Sequence, residues 1–316
     1  MNTIMFQMNN QLQIPALGLG TWKAEKGQVY DAVIEAIKIG YRHIDCAWIY
    51  GNEEEIGQAI SDAIKLNLVK REALFITSKL WNDSHGKENV ASAFRKSLSA
   101  LKLDYIDLYL IHWPVSFIQG TTYPNSQAQL IANNFPLLLE TWYEMEKLVN
   151  AGYIRSIGVS NFNIKKLTKF LDKVTTKPVV NQVELHPFLA QNDLLDFAKA
   201  HQILLTAYSP LGSKGRQVDD TGRSILEHEV IQSISDKYNI TCAQVLIAWA
   251  INRHSMVIPK SVNPTRLAQN YQAQFIKLDD NDMHLINQLD KNLRYVDGSF
   301  CTFENTPFTT DAIWNE

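Results

Sequence analysis

The feature of this chain that most restricts its fold is a repeated alternation. A short apolar run is followed by a polar loop and then by a segment with helical periodicity. Eight apolar runs occur in the 316 residues, at 17–20, 43–46, 74–77, 106–111, 154–159, 179–183, 204–208 and 256–258. Strict alternation of strand and helix predicts a parallel sheet. Eight such units in about 250 residues predict an α/β fold, a closed (β/α)₈ TIM barrel.

The segments with helical periodicity lie at 27–40, 53–66, 87–101, 134–151, 164–172, 192–201, 227–238 and 264–271. A doubly wound open sheet is the competing architecture, and it usually carries G-x-G-x-x-G after its first strand. Gly18 and Gly20 match the first two glycines of this motif, but position 23 is Lys where the third glycine is required, and bulky Trp22 lies in the turn. The barrel is therefore favoured over the open sheet.

Additions to the barrel are expected at both ends of the chain. The loose alternation over 5–14, around a turn-like 8–11, predicts an N-terminal β-hairpin. We find no linker rich in Pro, Gly or Ser, and we predict one domain over residues 1–316. The long loop at 115–133 and the C-terminal tail, about 290–316, are expected to cover the mouth of the barrel.

Charge and cysteine content narrow the function classes. A net charge of −3 without a basic face argues against nucleic acid and membrane surfaces as partners. The N-terminus lacks the pattern of a signal peptide, and no apolar run approaches the about 18 residues of a membrane span. Three scattered cysteines form no metal-ligand cluster, so we expect no metal. We predict a cytoplasmic protein with reduced thiols and, by default for a closed barrel, a monomer.

Polar residues follow the apolar runs, where barrel enzymes place their active sites. Asp45 lies at the end of the second run and Tyr50 follows it, Lys79 follows the third run and His112 the fourth. A tyrosine holds its proton at neutral pH, and a nearby lysine cation lowers the phenol pKa. An aspartate keeps that lysine charged, and a histidine can orient a carbonyl oxygen. Together they suggest a general acid that protonates an oxygen while a nicotinamide cofactor delivers hydride.

Each of these residues has an ordinary structural reading. Asp45 alone is more often a strand-end cap or a salt-bridge partner, and Lys79 alone is more often solvated. His112 is more often a satisfied core histidine, and Tyr50 a packing residue with a wet hydroxyl. Their occurrence together at three consecutive strand ends favours catalysis.

The sequence also resembles the aldo-keto reductases, and among them the aldehyde, aldose and xylose reductases. The first signature matches at every defined position: the run from Gly40 to Ala47, five free residues, Glu53, two free residues, then Ile56-Gly57. The other matching blocks follow in order: 78–81, 111–114, 158–162, 181–184, 207–212 and 258–261. The resemblance covers essentially the whole chain.

The resemblance implies a role for each residue. Tyr50 would be the proton donor, Lys79 and Asp45 would tune it, and His112 would orient the carbonyl. Ser160, Asn161 and Gln182 would bind the nicotinamide carboxamide, and the ring of Tyr208 would stack on the nicotinamide. Further cofactor positions implied by the family pattern are Thr21, Trp22, Asp45, Ser209, Leu211 and Asn270.

The adenosine end of the cofactor is read from the last block. Lys260, Ser261 and Arg266 lie at a helix start, which favours anions. In the family they hold the 2′-phosphate, so NADPH is the first choice, although in isolation these residues would more often form a solvated helix start. Gln269 stands where the family usually has Glu, which leaves NADH use open. In the family the loop at 212–224 closes over the pyrophosphate, and Lys214 and Arg216 are candidate contacts there.

Tryptophans suggest the character of the substrate pocket. Of seven in the chain, four sit at strand ends, while Trp142 and Trp249 lie on predicted helices and are expected in the core. The strand-end tryptophans suggest an apolar, aromatic-walled pocket for a small carbonyl compound. In the family the positions of Trp22, Trp81 and Trp113 line this pocket, beside Tyr50 and His112. Trp48 departs from the family pattern and is expected to turn into packing, with Ile49 as the wall.

Two other classes remain as alternatives to an NADPH-dependent reductase of aldehydes, ketones or sugars. One is a cofactor-binding module that senses redox state or regulates a partner; the complete set of Asp45, Tyr50, Lys79 and His112 argues against it. The other is a barrel hydrolase, which would need a metal cluster or paired carboxylates at the mouth. Only Asp45 and Glu184 are candidates for such a pair.

Overall fold

The computed structural model describes residues 3–212, 224–304 and 306–315. The chain begins with a hairpin of two antiparallel strands, β1 (Met5–Gln7) and β2 (Gln13–Pro15). The backbone amide of Met8 closes its turn by donating to the carbonyl of Leu12, at 2.9 Å. The predicted N-terminal hairpin is confirmed.

Ten more strands follow in the described residues: β3 (Leu19–Gly20), β4 (His43–Asp45), β5 (Phe75–Leu80), β6 (Ile106–Ile111), β7 (Ser116–Phe117), β8 (Leu130–Ile131), β9 (Ile154–Ser160), β10 (Val180–Glu184), β11 (Leu204–Tyr208) and β12 (Met256–Val257). Strands β7 and β8 pair only with each other, antiparallel. The other eight form one sheet in the order β12-β11-β10-β9-β6-β5-β4-β3, and all its pairs are parallel.

The first and last strands of this sheet meet and close it. The amide of Gly18 donates to the carbonyl of Val257 at 2.8 Å, and the amide of Gly20 donates to that of Pro259 at 3.1 Å. A side chain at Gly20 would prevent this approach, because its Cβ would lie 2.5 Å from the carbonyl oxygen of Ile258. The closed (β/α)₈ barrel is confirmed, and the doubly wound open sheet is excluded.

The helices in the described residues are α1 (Gln28–Ile39), α2 (Glu53–Lys65), α3 (Val90–Ala100), α4 (Phe135–Asn150), α5 (Ile164–Leu171), α6 (Asn192–Ala200), α7 (Glu229–Tyr238), α8 (Cys242–Asn252), α9 (Pro264–Gln272), α10 (Asp280–Asn287) and α11 (Thr310–Trp314). Every predicted helix is present, but α8, α10 and α11 were not predicted. Helix α8 is buried from Gln244 to Ile251. Its sequence therefore lacks the polar face that reveals an amphipathic helix.

Trp142 and Trp249, expected in the core, are both fully buried. The Nε1 of Trp142 donates to the carbonyl of Thr176 at 3.0 Å, and that of Trp249 donates to Asn287 Oδ1 at 2.8 Å. Each indole therefore buries its ring and still satisfies its one donor. No helix in the described ranges is long and apolar enough to cross a membrane.

A second apolar cluster lies apart from the main core. It joins strand-end tryptophans to the loop after β6 and to the C-terminal tail, and its buried members are Trp81, Trp113, Phe117, Leu130, Cys301 and Ile313. The segments expected to cover the mouth therefore pack on the strand ends. Of the other predicted loop, 212–224, only Gly212 and Ser224 are described; Lys214 and Arg216 lie outside the described residues.

Candidate active site

The site begins where β4 ends. Asp45 is its last residue and is 1% exposed. A short 3₁₀ turn, Trp48–Tyr50, follows, and Gly51 ends it with a positive φ of 68°. The backbone of Asp45 is held by Thr21, which directly follows β3: Thr21 Oγ1 donates to the carbonyl of Asp45 at 2.7 Å. This turn places Tyr50 beside the strand end that carries Asp45.

Lys79 on β5 lies beneath the tyrosine with a fully buried side chain. Its Nζ donates to Asp45 Oδ1 at 2.5 Å, to the carbonyl of Cys46 at 2.9 Å and to Tyr50 Oη at 3.3 Å. An ammonium group has three donors, and all three have acceptors here. The other oxygen of Asp45 accepts from Gln182 Nε2 at 2.7 Å.

Burial and neighbouring charges act in opposite directions on the pKa values of Lys79 and Tyr50. Burial disfavours the Lys79 cation, yet Asp45 and Tyr50 outweigh it and the lysine pKa is raised. Burial raises the pKa of Tyr50 to about 12, although the Lys79 cation lowers it. At neutral pH the lysine is therefore charged, and the phenol keeps the proton that it could donate.

His112 directly follows β6 and is held through its backbone. Its amide donates to the carbonyl of Leu80 at 3.1 Å, and its carbonyl accepts from Asn161 Nδ2 at 2.9 Å. The imidazole lies edge-on to the rings of Tyr50 and Trp81, at centroid distances of 5.9 and 5.1 Å. Burial, with Lys79 second, lowers the pKa of His112 well below its usual range. The ring is therefore neutral and can donate one hydrogen bond.

The residues predicted to bind the carboxamide form a connected network. Ser160 Oγ donates to the carbonyl of Gln182 at 2.7 Å, and the amide of Asn161 donates to the same carbonyl at 2.9 Å. Tyr208 Oη donates to Asn161 Oδ1 at 2.8 Å. Since Gln182 also holds Asp45, this network joins the catalytic candidates. The polar side chains at these strand ends therefore form one hydrogen-bonded network.

The remaining cofactor candidates differ in their exposure. Trp22, Ser209 and Leu211 are partly buried, and Lys23 Nζ lies 4.5 Å from the Trp22 ring centroid. At the start of α9, Ser261 is buried while Lys260 and Arg266 are exposed. Further along the helix, Gln269 is partly buried and Asn270 buried.

The donors at the start of α9 fit a phosphate group. The Asn263 side chain caps the helix by accepting from the amide of Arg266 at 3.0 Å. Burial lowers the pKa of Lys260; the Glu25 carboxylate raises it, and the Arg266 cation lowers it further. Neither cation takes part in an ion pair among the described residues. Two adjacent cations at a helix N-terminus attract a dianion.

A group of aromatic rings packs around Trp81, whose own ring contacts that of His112. The ring of Phe300, from the tail, lies 5.9 Å from Trp81 and 5.1 Å from Trp113. Further rings at this wall belong to Tyr123 and Trp314. Ile49 packs against the same cluster, as expected. The expectation that Trp48 turns into packing was wrong: it is 38% exposed, because the 3₁₀ turn directs it to solvent.

The supporting roles of two residues, Asn52 and Glu184, were not predicted from the sequence. The buried Asn52 donates from Nδ2 to the carbonyl of Thr21 at 3.0 Å. Glu184, buried at the end of β10, accepts from the amides of Tyr295 and Val296, both at 2.7 Å, and so fixes the start of the tail. From the sequence, Glu184 was only a candidate carboxylate at the mouth of the barrel. The contact with Tyr295 joins positions 111 residues apart, which no local pattern reveals.

Comparisons with known proteins agree with this architecture. The family model described as "Aldo/keto reductase family" matches residues 16–291. The chain is 49% identical over 314 residues to the aldo/keto reductase slr0942 of Synechocystis sp., covering 98% of this chain and 96% of that protein. It is 45% identical to the aldo-keto reductase family 1 member A1 of Xenopus tropicalis and 43% identical to that of Homo sapiens. Each of these two alignments spans 287 residues, covering 90% of this chain and 88% of the relative. The chain therefore belongs to the aldo-keto reductase family.

Proposed function

We propose that the protein is an NADPH-dependent reductase that converts aldehydes or ketones to alcohols, with Tyr50 as proton donor. The observation that carries the proposal is the buried ammonium group of Lys79, which bonds both Asp45 and Tyr50. A fully buried lysine has a high desolvation cost unless it is paired. Here the cation is paired and placed to stabilise a developing phenolate.

The proton transfer follows from this arrangement. Tyr50 gives its proton to the carbonyl oxygen as that oxygen gains negative charge, and a phenolate forms 3.3 Å from Lys79 Nζ. The cation stabilises the phenolate, and Asp45 keeps the cation in place. A positioned general acid contributes typically about 10²- to 10⁴-fold in rate. Asp45 acts through Lys79 and is a positioning residue for this step.

His112 is proposed to orient the substrate. Its neutral imidazole can donate to the carbonyl oxygen beside Tyr50, since their rings lie 5.9 Å apart. The apolar wall of Trp22, Ile49, Trp81 and Trp113 would exclude water from the reacting carbonyl. In such a site each charged or polar contact acts more strongly than in water.

The bound cofactor supplies the hydride. Ser160, Asn161 and Gln182 would bind its carboxamide group, and Tyr208, held by Asn161, would present a flat ring to the nicotinamide. Thr21, Trp22, Asp45, Ser209 and Leu211 are proposed to contact the rest of the nicotinamide half. Positioning of two reactants in this way can account for a large part of the rate enhancement.

The preference for NADPH is proposed from the cations at the start of α9. Lys260, Ser261 and Arg266 would bind the 2′-phosphate, with Gln269 and Asn270 beside the adenine. Lys260→Ala or Arg266→Ala should raise KM for NADPH about tenfold or more, while KM for NADH changes little. Lys277→Ala removes an exposed cation just beyond the same helix and is the matched control. Equal losses for both cofactors would refute the phosphate role.

The decisive experiment for the function is a rate measurement on the unmodified protein. Aldehydes, aldoses and ketones are each tested with NADPH and with NADH, at equal concentrations. We expect turnover of aromatic aldehydes with NADPH, because the pocket wall is aromatic. Tight NADPH binding without turnover across the panel would favour the cofactor-binding module instead. The proposal includes the monomeric state and the cytoplasmic location predicted from the sequence.

A further inference from the structure

The proposed mechanism gives no role to the Nδ1 atom of His112. His112 is 7% exposed, and its Nδ1 is buried without a hydrogen-bond partner among residues 3–212, 224–304 and 306–315. Buried polar atoms in proteins are paired, and ordered water commonly provides the partner. The identity of that partner matters, because it decides which ring nitrogen carries the proton.

A second buried histidine has a matching unpaired nitrogen. His85 is 4% exposed; its Nδ1 lies 2.7 Å from Ser116 Oγ, and its Nε2 is buried with no partner in the described ranges. Asn82, on the 3₁₀ turn just before it, is fully buried, and neither polar atom of its amide has a described partner. This short segment thus offers several unpaired polar atoms.

The two histidines belong to neighbouring elements. Trp81, which precedes the turn Asn82–Ser84, lies 5.1 Å from the His112 ring. Strand β7, which carries Ser116, packs against the same turn. A charge on His85 would also lower the pKa of His112, as expected for nearby rings. No direct hydrogen bond joins the two rings, and a single bridging water would pair both nitrogens.

We propose that a buried water joins His85 Nε2 to His112 Nδ1, and that His85 thereby sets the tautomer of His112. The direction of the hydrogen bonds in this relay is set by Asn134, at the end farthest from His112. Asn134 Nδ2 donates to the carbonyl of Pro114 at 2.9 Å and to Ser116 Oγ at 3.3 Å. With its oxygen accepting from Asn134, the Ser116 hydroxyl can donate its hydrogen to His85 Nδ1.

The same direction continues to the active site. A neutral His85 that accepts at Nδ1 carries its hydrogen on Nε2, and it can donate that hydrogen to the water. The water then donates to His112 Nδ1, so that His112 carries its hydrogen on Nε2. Burial favours the neutral form of both rings, and the pKa of His85 is lowered to about 3. The Nε2–H group of His112 is then the donor for the substrate carbonyl.

His85 is a positioning residue in this scheme, and the inference rests on the proposed reductase function. It is tested first without turnover, by ¹⁵N NMR of histidine-labelled protein, with His112→Gln used to assign the His112 signals. We expect His112 to be neutral and protonated on Nε2 at pH 7. In His85→Phe both tautomers should appear. A His112 protonated on Nδ1 in the unmodified protein would overturn the inference even if reductase activity is found.

Kinetics provide the second readout. His85→Phe and Ser116→Ala should each lower kcat roughly tenfold, the effect of one weakened transition-state hydrogen bond, with KM for NADPH unchanged. Ser116→Thr keeps the hydroxyl and should restore the rate. Ser84→Ala is the matched control, because its hydroxyl bonds Asp83 on the same turn and lies outside the relay. Unchanged kcat and an unchanged tautomer in Ser116→Ala would overturn the inference, even if His85→Phe fails to fold.

Discussion

Removal of the Lys79 cation tests how charge is balanced inside the barrel. In Lys79→Met a side chain of similar length replaces the ammonium group, so packing changes little. The carboxylate of Asp45 then loses its 2.5 Å partner and retains the hydrogen bond from Gln182 as its side-chain contact. Loss of one partner of a buried ion pair costs about 3–5 kcal/mol. That is a large part of a typical total stability of about 5–15 kcal/mol.

Activity should fall for a different reason. Without the cation, burial raises the pKa of Tyr50 with less opposition, and the phenolate formed during reduction is no longer stabilised. The rate loss should approach the general-acid contribution, about 10²- to 10⁴-fold. The double variant Lys79→Met with Asp45→Asn removes both charges. It should recover most of the lost stability and almost none of the lost activity.

The assay combines urea unfolding with kcat for an aromatic aldehyde and NADPH. Lys70→Met is the control, because it removes an exposed lysine just before β5 and should change neither quantity. A Lys79→Met protein as stable as the unmodified one would refute the estimate for the buried pair. Near-normal turnover of the double variant would refute the role of the cation.

Two further predictions concern pH and the tail. Because burial lowers the pKa of His112 and raises that of Tyr50 to about 12, kcat should stay level between about pH 6 and pH 8. It should fall only as pH approaches the Tyr50 pKa, where the donor loses its proton; a step near pH 6.5 contradicts this. Glu184→Gln sets an amide N–H₂ against a backbone N–H at Tyr295 or Val296, at a cost of about 1–3 kcal/mol. The tail should then be cleaved faster by protease and KM for aldehydes should rise, whereas Glu304→Gln, exposed on the same tail, should change neither.

Local patterns carried most of the fold prediction. Apolar runs and helical periodicity report burial along one element, so the eight barrel strands and their helices were predictable. Helix α8 was missed because it is buried over most of its length and shows no polar face. The tail helix α11 is only five residues long, too short for periodicity to identify it.

The candidate site was predictable only in part, for a related reason. Asp45, Lys79 and His112 each stand at a strand end, and parallel strands in a barrel bring such ends together. The supports of these residues come from positions distant in sequence and from loops. Ser116 and His85, for example, look like ordinary loop residues until β7 packs against the turn that follows Trp81. Trp48 was misplaced because its departure from the family pattern does not tell which way a side chain points from the 3₁₀ turn Trp48–Tyr50.

A single substitution tests whether Tyr50 donates the proton. Tyr50→Phe removes only the hydroxyl that lies 3.3 Å from Lys79 Nζ and keeps the ring beside His112. We measure kcat for an aromatic aldehyde together with the dissociation constant for NADPH by fluorescence titration. We predict a fall in kcat of about 10²-fold or more, with NADPH affinity within about twofold of the unmodified protein. A kcat close to that of the unmodified protein would contradict it.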